Sequence, residues 1–163
     1  MDLRNDTTPA RGFQGDYFTE IVTAEAQRWL ATSVAAEPGR STFSYLAHQS
    51  NHGPLQVPQR YIDGECADRI PIVYPGRRII CGMMTAVDSS LANMTHLYKS
   101  LGIWGRTVII FSTDNGGPTD EGGSNAPLRG QKATSYEGGV RGVGWVGGGL
   151  PAVRRGAVSR AMI

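Results

Sequence analysis

Four residues carry side chains whose chemistry could be combined. Asp114 and Asn115 stand side by side, followed by Gly116 and Gly117. A carboxylate beside an amide offers the hard oxygen donors that Ca2+ or Mg2+ takes, and the glycines let the backbone turn sharply just beyond them. The plain alternative is an Asx turn that merely ends a strand. His52, within Asn51-His52-Gly53-Pro54, could hydrogen-bond an anion or relay a proton. A lone loop histidine is more commonly a surface residue. Lys132, with Arg129 nearby, could neutralise charge on a metal-bound tetrahedral anion. On its own it reads as a solvated basic loop.

What these groups can do depends on the elements that hold them. Phe18, Ile21, Val22, Ala26, Trp29 and Leu30 keep a helical period, and Glu37-Pro38-Gly39 should end that helix. Residues 43–47 form an apolar, aromatic run of the right length for a buried strand. A second helical stripe runs through Ile80, Met83, Met84, Val87, Leu91, Met94, Leu97, Tyr98 and Leu101, with Gly102 as its stop. Residues 107–113 read as a strand buried on both faces, and residues 139–146 as a third strand weakened by its glycines. Helices alternating with strands imply an α/β fold with parallel strands. Ligands of such sheets bind at the carboxyl ends of the strands. His52, past the first strand, and Asp114, past the second, are therefore expected on one sheet edge. Residues 1–16 read as a flexible leader.

Composition narrows the class. The chain has 163 residues, 40% hydrophobic and 18% charged, which describes a globular protein with a core of its own. A net charge of +2 is too balanced to imply nucleic acid or an anionic membrane as partner. No apolar run approaches the roughly 20 residues of a membrane span, and the polar first residues are not a signal peptide. Glycine is over-represented, with 15 of its 22 copies from Gly102 to Gly156, which argues for loops that approach something closely. Cys66 and Cys81 fit no zinc motif and are either one disulfide or two thiols. Asn93-Met94-Thr95 and Asn5-Asp6-Thr7 are N-glycosylation sequons. Residues 142–147 match GxGxxG literally, but they lie in a strand-like run with no helix opening after it, so the match is rejected.

Four segments succeed one another in a recognisable order and spacing: His-Gln-Ser-Asn-His-Gly-Pro-Leu-Gln-Val-Pro at 48–58, Phe-Ser-Thr-Asp-Asn-Gly-Gly at 111–117, Pro-Leu-Arg-Gly-Gln-Lys at 127–132 and Glu-Gly-Gly-Val-Arg at 137–141. In these the chain resembles the type I sulfatases of the arylsulfatase type, from about Tyr17 to Arg160. The resemblance implies an α/β fold, a partial alkaline-phosphatase-like (sulfatase) sheet with flanking helices, over residues 17–163. It implies a sulfuric ester hydrolase that uses Ca2+ and acts on a sulfated small molecule or a glycosaminoglycan-type substrate. A lysosomal or secreted location goes with it, and the Asn93 sequon is the candidate site of a glycan. Asp114 and Asn115 match the family's metal ligands. His52 matches a histidine on the sulfate or leaving-group side, and Lys132 the lysine that bridges sulfate and the catalytic residue. Arg129, Glu137 and Arg141 match positions that support the loop.

The departures are equally specific. The family's nucleophile is a formylglycine made within Cys-x-Pro-x-Arg, and neither Cys66-Ala67-Asp68-Arg69-Ile70 nor Cys81-Gly82-Met83-Met84-Thr85 has that pattern. The acidic pair that completes the calcium site and the Lys/His pair that precedes His52 are missing too. Without a nucleophile no covalent intermediate can form, so the isolated chain is expected to be inactive. It reads as a fragment of a working sulfatase. The alternative is a truncated, non-catalytic paralogue that binds sulfated ligand or metal. A phosphatase relative would need ligands for a second ion, which His48, His52 and His96 do not supply.

Overall fold

The apolar period after Tyr17 forms α1, Phe18–Ala36. Glu20 puts a carboxylate in its first turn, where the helix dipole favours negative charge. The helix stops ahead of Pro38 and Gly39, as the sequence leads one to expect. The second stripe forms α3, Pro75–Ser100. It starts earlier than the stripe itself, with Pro75 at the first helical position, where a missing N–H costs nothing. Gly102 ends it in the left-handed region at φ 69°, and the Ile103 N–H reaches back to Tyr98 O at 3.0 Å.

The computed structural model describes residues 3–151 and 156–158. The last residues of the expected domain, 152–155 and 159–163, lie outside the described residues. Two compact units divide the chain, Met1–Met94 and Thr95–Ile163. In the first, Arg4–Asn5 (β1) pairs antiparallel with Thr8–Pro9 (β2) inside the segment read as a leader. The core of this unit holds Ile21, Leu30, Cys66, Met83, Ala86, Val87 and Met94. A buried polar chain joins α1 to α3: Thr23 Oγ1 lies 2.6 Å from Thr19 O and 2.6 Å from Ser90 Oγ. Buried hydroxyls persist in a core when they are paired, and their pairing fixes how the two helices register. Ser90 Oγ lies 3.4 Å from His48 Nε2, while His48 Nδ1 is buried without a hydrogen-bond partner.

The cysteine alternatives resolve into a disulfide. Cys66, on α2 (Glu65–Arg69), is bonded to Cys81 on α3, with Cα atoms 5.7 Å apart. Arg78 reinforces the same corner by donating from Nε to Ile70 O at 2.6 Å and from Nη2 to Ala67 O at 2.8 Å. A guanidinium at the end of a helix satisfies carbonyls that the helix leaves unpaired.

Three strand expectations need correction. Residues 43–47 form no strand, and Phe43 and Tyr45 are exposed. A short apolar run becomes a strand only where a neighbour supplies the ladder. The run 107–113 does form a strand, β3 at Val108–Ser112, but Ile110 is 75% exposed, so it is not buried on both faces. Its ladder is antiparallel, not parallel: Ile110 pairs with Val146 and Phe111 with Trp145 of β4, Gly144–Gly148. Parallel pairing needs a crossover, usually a long helix, and the only helix between β3 and β4 is the single turn α4, Glu137–Val140. That turn also takes the front of the run 139–146 out of the third strand. The Phe111 and Trp145 rings stack at 5.5 Å across the ribbon.

Two outcomes are expected. The disulfide closes a loop with a sequence separation of 15, which corresponds to about 3 kcal/mol of stability. Cys66→Ser should lower the denaturant-derived stability of the first unit by roughly that amount; an unchanged midpoint would contradict it. Burial pushes the His48 imidazole below its ordinary value of 6.5. The unfolded chain therefore binds the proton first as pH falls. The contribution of His48 is whole above 6.5 and is lost as pH falls from there toward the folded-state value. Thermal scans should show that loss, and His48→Leu should remove it.

Candidate functional site

The second unit's site begins where β3 ends. Thr113 fixes the exit: its N–H donates to Val143 O at 2.9 Å, and its Oγ1 accepts from the Val143 N–H at 2.8 Å. Asp114 comes next and is exposed. Its Oδ1 accepts from the Asn115 N–H at 2.8 Å, one residue on, whereas an Asx turn would engage the Gly116 N–H, which donates to Gly139 O instead. Asn115 Nδ2 donates to Gly116 O at 2.9 Å, which leaves Oδ1 as the acceptor end of the amide. The remaining Asp114 oxygen and Asn115 Oδ1 are hard oxygen donors from adjacent residues. This pair fits a hard divalent cation as two of the six to eight oxygens that Ca2+ takes. No cluster of three or more His, Cys, Asp or Glu suited to a metal occurs among the described residues.

The turn is held against the glycine-rich loop by backbone contact. The Gly116 N–H donates to Gly139 O at 3.0 Å, and the Gly138 N–H to Arg129 O at 2.7 Å. A Cβ on Gly116 would stand 1.8 Å from Gly138 O, and one on Gly138 would stand 2.4 Å from Gly130 O. Three chain segments thus approach more closely than any side chain permits. The glycine density of the sequence has its physical use here.

Lys132 lies on the third of these segments, half-buried, with its N–H 3.5 Å from Gly117 O. Its neighbour Ala133 adopts φ 69°, a left-handed conformation that a non-glycine residue holds only when its surroundings impose it. Arg129 is engaged with Tyr136: its guanidinium lies 3.9 Å from the ring centroid and donates from Nη2 to the hydroxyl at 2.9 Å. Glu137 and Arg141 form an exposed pair at 3.5 Å across α4. Asp114, Asn115 and Lys132 are therefore brought to neighbouring segments of one loop system. Sequence reading missed Asn125, whose amide bonds both Gly117 and Gly130. The only available signal was an asparagine in a loop too long to lack a role.

His52 belongs to the first unit. Its N–H donates to Gln49 O at 2.7 Å, and Nδ1 lies 2.8 Å from Gly53 O. A carbonyl can only accept, so Nδ1 carries the proton there, and in the neutral ring Nε2 is the basic nitrogen. Just before it, Ser50 Oγ lies 3.0 Å from both Tyr17 Oη and Thr19 Oγ1, which tethers the segment to the start of α1.

The chain belongs to the sulfatase family: the family model named Sulfatase matches residues 2–144. It is 40% identical to arylsulfatase J of Mus musculus over 132 residues, 81% of this chain and 21% of that protein. With N-acetylgalactosamine-6-sulfatase of Sus scrofa it shares 36% identity over 140 residues, 82% of this chain and 24% of that one. Among solved structures it is similar to Ps i-CgsB in complex with k-i-k-neocarrahexaose, with a TM-score of 0.80 and 25% identity over 93% of this chain and 32% of that chain. The described fold is thus part of a sulfatase fold. The chain spans only about a fifth to a quarter of these curated relatives, at 21% and 24%.

Close backbone packing makes a direct expectation. Gly116→Ala should destabilise the second unit by about 1–3 kcal/mol, the usual cost of overpacking, because a backbone carbonyl at 1.8 Å cannot rotate away. Denaturant unfolding checks it, and a midpoint equal to that of the parent would contradict the packing described.

Proposed function

We propose that this chain carries part of the active centre of a sulfuric ester hydrolase that acts on sulfated sugars through a Ca2+-dependent mechanism. The observation that carries the reading is the Asp114–Asn115 turn at the end of β3, locked by backbone hydrogen bonds to the loop that bears Lys132. Asp114 supplies a charged oxygen and Asn115 a neutral one to the cation. When bound, the cation supplies Lewis-acid charge opposite the sulfate oxygens. Lys132 adds positive charge against the same anion, which matters most where charge builds in the transition state. The resemblance matches His52 to a histidine on the sulfate or leaving-group side, where an imidazole can bond the anion or handle a proton. The sheet that β3 joins is read as alkaline-phosphatase-like.

Two relatives point to the substrate class. One is named for the 6-sulfate of N-acetylgalactosamine, and another was solved with a neocarrahexaose bound. Both cysteines are consumed in one disulfide, so neither serves as nucleophile in this chain. That observation favours a second reading, a non-catalytic module that binds sulfated ligand or metal. Disulfides persist in oxidising compartments, which agrees with a lysosomal or secreted location. Asn93 is exposed on α3, in keeping with a glycan there.

The test separates the roles. Calorimetric Ca2+ titration of the chain should show binding that is lost in Asp114→Ala, because the charged ligand goes with it. Asn115→Ala should weaken it less, since water can replace a neutral oxygen. Lys132→Ala should leave Ca2+ binding intact and lower affinity for a sulfated N-acetylgalactosamine. Turnover of a chromogenic aryl sulfate by the chain alone should stay at the level of Asp114→Ala. Intact Ca2+ binding in Asp114→Ala, or its loss in Lys132→Ala, would overturn the assignment.

A further inference from the structure

One side chain bonds the two backbone segments that carry the candidate ligands and the basic residues. Asn125 is partly buried, and its Oδ1 accepts from the Gly117 N–H at 2.9 Å. Its Nδ2 donates to Gly117 O at 2.8 Å and to Gly130 O at 3.2 Å. Gly117 follows the Asp114–Asn115 turn, and Gly130 lies between Arg129 and Lys132. A primary amide both accepts and donates from one rigid plane, so a single side chain grips both polar groups of Gly117 and still reaches Gly130. An alanine does none of this.

The side-chain bonds of Gln131, Arg129 and Thr134 go to partners other than Gly117 and Gly130. Gln131 Oε1 accepts from the Thr119 N–H at 2.9 Å, and Arg129 is occupied with Tyr136. Thr134 Oγ1 turns back to Gln131 O at 2.7 Å. The Lys132 N–H adds only a long contact of 3.5 Å to Gly117 O.

We infer that Asn125 is the positioning residue of the candidate cation site. By holding Gly117 and Gly130 it sets where the Asp114 and Asn115 oxygens stand relative to the segment of Lys132. Its consequence for metal rests on the Ca2+ reading above, whereas its grip on the backbone does not. Outer groups that orient ligands in this way commonly change metal affinity by about tenfold to a hundredfold.

The experiment compares the whole chain with Asn125→Ala and with Gln131→Ala, which loses side-chain bonds in the same loop but none to Gly117 or Gly130. Ca2+ affinity is read by calorimetry and the Gly117 N–H by amide exchange. Asn125→Ala should weaken Ca2+ by about tenfold or more and speed exchange at Gly117 by about tenfold. Gln131→Ala should leave both near the parent values. Unchanged exchange at Gly117 in Asn125→Ala, or equal weakening of Ca2+ in the two variants, overturns the inference. If the parent binds no Ca2+, the metal reading fails by itself, and the Gly117 exchange comparison decides the role of Asn125. Should Asn125→Ala not fold, Asn125→Asp keeps the acceptor for the Gly117 N–H and should keep that amide protected; loss of protection there overturns the inference equally.

Discussion

Everything proposed for the second unit depends on three backbone segments that approach one another at glycines, where no Cβ would fit. Gly138 O occupies the space that a Cβ on Gly116 would need, and Gly130 O does the same for Gly138. At such distances the segments hydrogen-bond directly, Gly116 to Gly139 and Gly138 to Arg129. Glycine usually weakens structure through its conformational entropy. Here it admits a contact that no other residue could make. These contacts tie the bend that carries Asp114 and Asn115 to the glycine-rich loop.

The first unit solves a different problem. Its two long helices meet through small hydroxyls as well as apolar side chains, and the buried chain Thr19–Thr23–Ser90 leaves little freedom in their register. The disulfide and Arg78 then clamp the short α2 onto α3. The same unit holds the segment of His52 against α1 through Ser50. A candidate site histidine is thus tethered by the same scaffold that buries His48.

How much of this was legible beforehand follows from the range of the forces. The helices were readable because their period is local: the end of α1 before Pro38 and the Gly102 stop of α3 follow from neighbouring residues alone. The strand at 107–113 was readable from its composition, but which strand pairs with which, and in what direction, was not, because pairing is non-local. The run 43–47 has the composition of a strand and finds no partner among the described residues, while β3 finds an antiparallel one. Asp114, Asn115, Lys132 and His52 could be singled out as candidates from residue type and order, since the family motifs are contiguous. Asn125 could not, because its role exists only once Gly117 and Gly130 are brought to it. The disulfide stayed open for the same reason: a sequence separation of 15 allows a bridge without requiring one.

We propose that the end of β3 binds a cation. Ca2+ titrated into the isotopically labelled chain, followed through its backbone amide resonances, tests it most directly. The account predicts that the largest saturable shifts fall on residues 114–117, with smaller ones at Asn125 and Gly138, which bond to that turn and its loop. Shifts confined to acidic surface residues such as Asp120 and Glu121, with Gly116 and Gly117 unmoved, would contradict it.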